Sequence, residues 1–172
     1  YLFTLEHKFS FWDTGEYISS ATKLEVTHAP GAALFQLVGA VMGIFAFGNG
    51  QYYGLVINVM SAVFSAFTIL FLFWTITHLV RGIFRKIGGE LSVLDDLKVL
   101  ISGGIGVLAI TFSDTFWYSA VEGEVYAMAS MFIAILLWLI LKWEQEFDTP
   151  YAERWLVLIA FLVGLSVGVH MM

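Results

Sequence analysis

The chain has 172 residues, 59% of them apolar and 13% charged, with a formal net charge of −6 and no Cys. Its mean hydropathy is +0.84. Soluble domains are roughly half apolar and a quarter charged, so the composition excludes an ordinary soluble domain and describes an integral membrane protein. Disulfides are excluded, and so is nucleic-acid binding, for no basic stripe exists to neutralise phosphates.

In chain order, the first notable feature is the acidic stretch Phe11-Trp12-Asp13-Thr14-Gly15-Glu16-Tyr17. Carboxylates beside hydrocarbon are costly without a partner or a task, so function is sought here first. Asp13 and Glu16 are three apart, which places both on one face if the segment is helical. Either acid can then serve as a general base. The plainer account makes Asp13 the cap of a helix over 14–22, with Glu16 favoured by the helix dipole. The aromatic neighbours Phe11, Trp12 and Tyr17 argue for a packed, partly dehydrated setting in which a carboxylate needs more than that. Next comes His28-Ala29-Pro30-Gly31, a turn set by Pro and Gly. His28 is placed either to meet an anion or simply to meet water at an interface.

Beyond this turn the chain is almost wholly apolar. Residues 55–80, 99–117, 125–141 and 155 to the end are long enough, or nearly so, to cross about 30 Å of hydrocarbon as helices. Residues 31–47 are at the short limit and are read as an interfacial or re-entrant helix. The division is then an outer loop with interfacial helices over 1–54 and transmembrane helices over 55–172, the last of them truncated. The chain starts at Tyr1 without an initiating Met and stops inside an apolar run, so it reads as a fragment of something longer. No alternating pattern of barrel strands is present; 16 Phe, 7 Tyr and 6 Trp suit helices with aromatic belts.

Orientation follows from the positive-inside tendency. With 31–47 kept out of the spans, six of the eight Lys and Arg fall inside, leaving Lys8 and Lys23 outside. The same assignment gathers Asp13, Glu16, His28, Asp114, Glu122, Glu124 and His170 on the outer face. Small residues at packing spacing, Gly39 with Gly43, Ser102 with Gly106 and Gly164 with Gly168, let helix backbones approach. Gly103, Gly104 and Gly106 belong to such packing and not to a phosphate loop, since no Lys, Ser or Thr stands where one requires it.

Glu122-Gly123-Glu124, with Tyr126, forms the outer turn between two spans, and Gly123 permits a sharp bend. His170 stands alone on an apolar helix, either hydrogen-bonded in the interior or turned to a ligand. A metal held by Asp13, Glu16, Glu122 and Glu124 would have only oxygen ligands, which suits Mg²⁺ or Mn²⁺. No spacing demands it, so no cofactor is assigned and a divalent cation stays open.

FWDTGEY, LEVTHAPGAALF, FSDTFWYSAVEGEVYAM and GLSVGVHMM, in that order, resemble the amino-terminal half of the DUF2723 membrane family. That family is related to the protein O-mannosyltransferases and to the GT-C class of glycosyltransferases. The resemblance covers nearly the whole chain. It implies an all-α, polytopic enzyme with interfacial helices in its first outer loop, moving a mannose-like sugar from a polyprenyl-phosphate carrier to a protein Ser/Thr or other hydroxyl acceptor outside the membrane. A bacterial inner membrane with a periplasmic site is the expected setting. Asp13 and Glu16 match the family's acidic catalytic motif, and His28, Pro30 and Gly31 its turn. Ala29 and Ala33 depart from it where Pro is usual, and Ala40 where a basic residue is expected. Glu122, Glu124, Tyr126 and His170 complete the expected substrate-binding set, and the fragment alone is expected to be inactive. A non-catalytic membrane scaffold and a transporter are the rival readings; the transporter predicts acids spread through the bilayer depth.

Overall fold

The computed structural model describes residues 1–7, 12–29, 31–88 and 90–170. Among them every regular element is helical, with seven α-helices and no strand. They are α1 (Thr14–Lys23), α2 (Ala33–Gly43), α3 (Tyr53–Gly88), α4 (Val93–Thr111), α5 (Asp114–Val121), α6 (Val125–Gln145) and α7 (Ala152–Ser166). Short 3₁₀ turns at Leu2–Thr4, Ile44–Ala46 and Gly50–Tyr52 join the rest.

Two helices are long and apolar enough to cross a membrane: Gly50–Gly88, which includes α3, and Val125–Gln145. The four-span expectation is therefore only partly met. The run at 99–117 is not one helix, because α4 stops at Thr111 and α5 starts at Asp114. Its break has a local cause: Ser113 is extended at the N-cap of α5 and Asp114 occupies that helix's first turn, where a carboxylate suits the dipole. The start of α4 is polar, with a capping box between Ser92 and Asp95, and α7 has 15 residues. The 11-residue α2 stays short of a span, as the interfacial reading requires.

The helices run up and down around α3. Arg81 on α3 bonds Asp96 on α4 at 2.9 Å, while Thr77 and Phe73 of α3 face Gly103 and Ile76 faces Gly106, so α3 and α4 are antiparallel. α6 runs parallel to α3: Gly123 at its head lies against Ile57 and Asn58, and near its tail Gln145 reaches His78 at 3.1 Å. α7 returns beside α6, from Trp155, whose indole N–H donates to Glu146 at 2.8 Å, to His170, whose ring meets Tyr126 at 5.9 Å. One end of the bundle thus holds the head of α3, α5, the head of α6 and the close of α7. The other end carries Arg81, Arg85, Lys86, Lys98, Lys142 and Arg154.

α1 and α2 lie across the first end. Their shared core is Tyr17, Ala21, Phe35, Ile57, Met60, Val125, Met128 and Phe132, all buried. Tyr17 and Phe35 meet edge to face at 5.4 Å, a favoured aromatic geometry. Apolar side chains along α4 and α7, such as Ile105 and Phe161 at 65% and 63% exposure, face outward, which suits contact with lipid. Of the expected small-residue pairs, Gly39 packs on Ala21 and Gly168 on Leu34, but a Cβ added at Gly164 would meet open space. On α4 the close approach falls to Gly103 and Gly106, while Ser102 bonds back to Lys98.

A methyl at Gly103 would stand 2.5 Å from Thr77 Cγ2 and 2.9 Å from Phe73 Cε2, whereas Gly104 has open space. Gly103→Ala is expected to destabilise the α3–α4 contact by about 1–3 kcal/mol. Gly104→Ala, inside the same helix but in open space, is expected to be neutral or to stabilise by up to about 1 kcal/mol, and equilibrium unfolding in mixed micelles compares the two.

Candidate functional site: an acidic pocket at the head of the bundle

At the first end an open pocket of about 620 Å³ is lined by Trp12, Asp13, Thr115, Tyr118, Ser119, Glu122, Glu124 and Tyr126. Its walls come from the chain entering α1, from α5, and from the corner where α5 gives way to α6. Acids 109 or more positions apart in sequence, Asp13 on one side and Glu122 and Glu124 on the other, therefore face one cavity.

Asp13 occupies the N-cap position of α1 but makes no cap hydrogen bond with its side chain, so the capping account does not hold. Its carboxylate lies 3.9 Å from His28 Nε2 and is largely exposed. Glu16 is more tightly held: the His28 backbone N–H donates to Oε1 at 2.7 Å and His28 Nδ1 lies 2.9 Å from Oε2. These bonds hold the Glu16 carboxyl below its usual range, and the same carboxylate raises the His28 imidazole above its own. The turn that presents His28 closes with a bond from Gly31 N–H to the His28 carbonyl at 2.9 Å. Gly31 has φ +98°, a left-handed value that favours glycine. Pro30 lies outside the described residues, as does Phe11.

Glu124 is 9% exposed and accepts a bond at 3.1 Å from the hydroxyl of Thr14, itself wholly buried. Burial raises the Glu124 carboxyl, the Thr14 bond opposes that rise, and Glu122 and Asp13 add to it. Tyr17, 6% exposed, has its phenol pushed up to about 12 by burial and by the negative groups Asp13 and Glu124 nearby. It therefore stays protonated and acts as a wall and not as a base.

Two expectations change. Trp12 is not packed: it is 90% exposed, with φ 61°, and stands at the pocket rim. Gly123 does sit at a sharp bend, where the Glu124 N–H donates to the Glu122 carbonyl at 2.9 Å, but its φ is not left-handed, so the bend alone does not require glycine. Close approach does: a Cβ there would meet Ile57 Cγ2 at 2.8 Å and Asn58 Oδ1 at 2.9 Å. His170 is half-buried behind Tyr126 and lines a separate apolar groove of about 300 Å³ between α6 and α7. Asp114 sits in the first turn of α5, outside the pocket lining. Sequence reasoning missed Thr14, Thr115, Tyr118 and Ser119 as site residues; only their position beside Asp13 or within the aromatic stretch before Glu122 pointed to them.

The all-oxygen metal set does not assemble as such. Among the described residues, the donor atoms that converge belong to Asp13, Glu16 and His28, all within 4.8 Å of one another. Glu122 and Glu124 belong to the opposite wall of the pocket.

Fold and site together define a helical protein with membrane-length helices and a carboxylate-lined pocket at one end of its bundle. Residues 13–172 match the family described as Protein O-mannosyl-transferase TMEM260 N-terminal domain, and the chain belongs to that family. It is 27% identical over 165 residues to the protein O-mannosyl-transferase TMEM260 of Mus musculus, covering 95% of this chain and 20% of the mouse protein. It is 26% identical over 127 residues to the Dictyostelium discoideum protein of the same description, covering 74% of this chain and 13% of that one. The chain thus spans about a fifth or less of the curated relatives it matches. No solved structure matches it.

The His28–Glu16 pair carries a pH signature. With Glu16 lowered and His28 raised, the pair is complete between these two values. The His28 contribution is full below the ordinary histidine value and is lost as pH rises through the raised one; the Glu16 contribution is lost as pH falls through its lowered value. In ¹⁵N-histidine spectra, His28 is expected to titrate above 6.5 and to move back toward it in Glu16→Gln. An unchanged midpoint in that variant removes Glu16 as the cause.

Proposed function

We propose that this protein is part of a membrane O-mannosyltransferase of GT-C type, akin to the DUF2723 proteins, whose pocket is the transfer site. The observation that carries this is the meeting of Asp13 with Glu122 and Glu124 around one cavity at the heads of apolar helices. The relatives' description as protein O-mannosyl-transferases suggests the reaction. The donor is a mannose on a polyprenyl phosphate, the acceptor a Ser/Thr hydroxyl of a protein, and the site lies on the extracytoplasmic side, which is the periplasm in a bacterial host. The clustering of six of the eight Lys and Arg at the opposite end of the bundle supports that side.

In a single displacement the acceptor oxygen attacks the anomeric carbon, its proton passes to a base, and the carrier leaves as a phosphate anion. No acid is needed for such a leaving group, so one basic carboxylate suffices. Asp13 fits that role because its carboxylate lines the pocket without a close hydrogen bond among the described residues. Glu16, bound twice by His28, orients and stabilises the loop beside it. His28, raised toward its charged form, stands beside Asp13 where a phosphate would arrive, and Gly31 closes its turn. Glu122 and Tyr126 on the far wall face sugar hydroxyls or the acceptor. His170, behind Tyr126, bounds the apolar groove where helix faces meet lipid.

The absence of any Asp or Glu from α3 runs against a transporter, which needs acids through the bilayer depth. Replacing Asp13 by Asn keeps shape and removes basicity. Mannosyl transfer by the full-length protein in lipid vesicles is expected to fall by about a hundredfold to ten-thousandfold. Normal turnover by Asp13→Asn would take Asp13 out of the mechanism.

A further inference from the structure

We propose that Thr14 and Glu124 form a positioning pair that fixes where the Asp13 carboxylate stands, and that Glu124 serves the site through this bond and not as a contact to sugar. The inference rests on the reading of Asp13 as the base. Thr14 follows Asp13 directly and opens α1. Its hydroxyl, wholly buried, donates to Glu124 Oε1 at 3.1 Å across 110 positions of sequence. Glu124 is at the N-cap of α6, yet its side chain makes no cap bond there; it is turned toward α1 instead.

The anchor beneath Glu124 is firm. Gly123 is pressed against Ile57 and Asn58 of α3, and the Asn58 amide donates to the Glu6 carbonyl at 2.6 Å. Glu6 N–H in turn reaches the Val121 carbonyl at 3.4 Å. The corner between α5 and α6 is therefore tied to α3 and to the amino-terminal segment, and Thr14 ties α1 to that corner. Any shift of Thr14 moves Asp13 by a similar amount, and a displacement of about 1 Å can cost a reaction on the order of a hundredfold. The burial that raises the Glu124 carboxyl fits a group that works as an acceptor in a fixed bond.

The full-length enzyme tests this with Thr14→Val, Thr14→Ser, Glu124→Gln and Glu124→Ala. Thr14→Val is expected to lower kcat by about tenfold or more, with KM for donor and acceptor within about twofold, and Thr14→Ser to restore most of the loss. The Gln amide oxygen still accepts from Thr14, so Glu124→Gln is expected to keep about tenfold more kcat than Glu124→Ala. The double variant Thr14→Val with Glu124→Ala is expected to be no slower than Glu124→Ala alone, the mark of one shared interaction. Wild-type kcat in Thr14→Val, multiplying effects in the double variant, or a raised KM with equal losses in both Glu124 variants would each overturn the proposal. The same cycle read from unfolding midpoints in detergent reports the Thr14–Glu124 coupling without any turnover; additive midpoints would likewise sink the pair. A wild-type protein that shows the coupling but transfers no mannose would refute the transferase reading and leave the pair standing.

Discussion

A carboxyl group buried at the head of an apolar helix must find a donor or lose its charge, and Glu124 meets that demand with the Thr14 hydroxyl. Much of the site follows from this one contact. It brings the first turn of α1 against the corner between α5 and α6, and the core around Tyr17, Phe35 and Ile57 closes beneath it. Gly123 makes the contact reachable, because any side chain there would hold the corner away from α3. Asp13 then stands on one wall of a cavity and Glu122 on the other.

The two ends of the bundle are finished differently. At the end that carries Arg81, Arg85, Lys86, Lys98, Lys142 and Arg154, acids stand beside the bases: Arg81 is paired with Asp96 at 2.9 Å and Lys98 with Asp95 at 2.8 Å. Asp95, also bonded by Ser92, is held down at about 2, and Lys142 lies over the Trp138 ring. At the acidic end the charges are less evenly matched: His28 meets Glu16 and approaches Asp13, while Glu122 faces the cavity. Among the described residues, negative charge left unbalanced around an open pocket is an arrangement that stability alone does not call for, and perturbed ionisable groups gather at functional sites for that reason.

The helical class and the meeting of Asp13, Glu122 and Glu124 at one end of the bundle were legible because hydropathy and the Lys/Arg distribution are properties of whole segments. Finer features were not. The break at Phe112 and Ser113 is hidden inside a continuous apolar run, and only the Ser113–Asp114 start signal hints at it. Trp12 reads as a buried aromatic by composition, yet the backbone around it carries the ring outward. Gly123 invites a turn explanation, whereas its reason lies on another helix 65 or more positions away in sequence. The same holds for Thr14, an ordinary helix-start residue until its partner from 110 positions downstream is known. Capping and spacing rules describe neighbours in the chain, and these residues answer to neighbours in space.

The 36 residues of α3 make a rod of roughly 54 Å, well beyond about 30 Å of hydrocarbon. Its head forms the floor under the Glu124 corner through Ile57 and Asn58, and its far end is clamped to α4 through Arg81. One continuous helix therefore joins the cavity floor to the Arg81–Asp96 clamp, so a lean of that rod would carry both ends of it together.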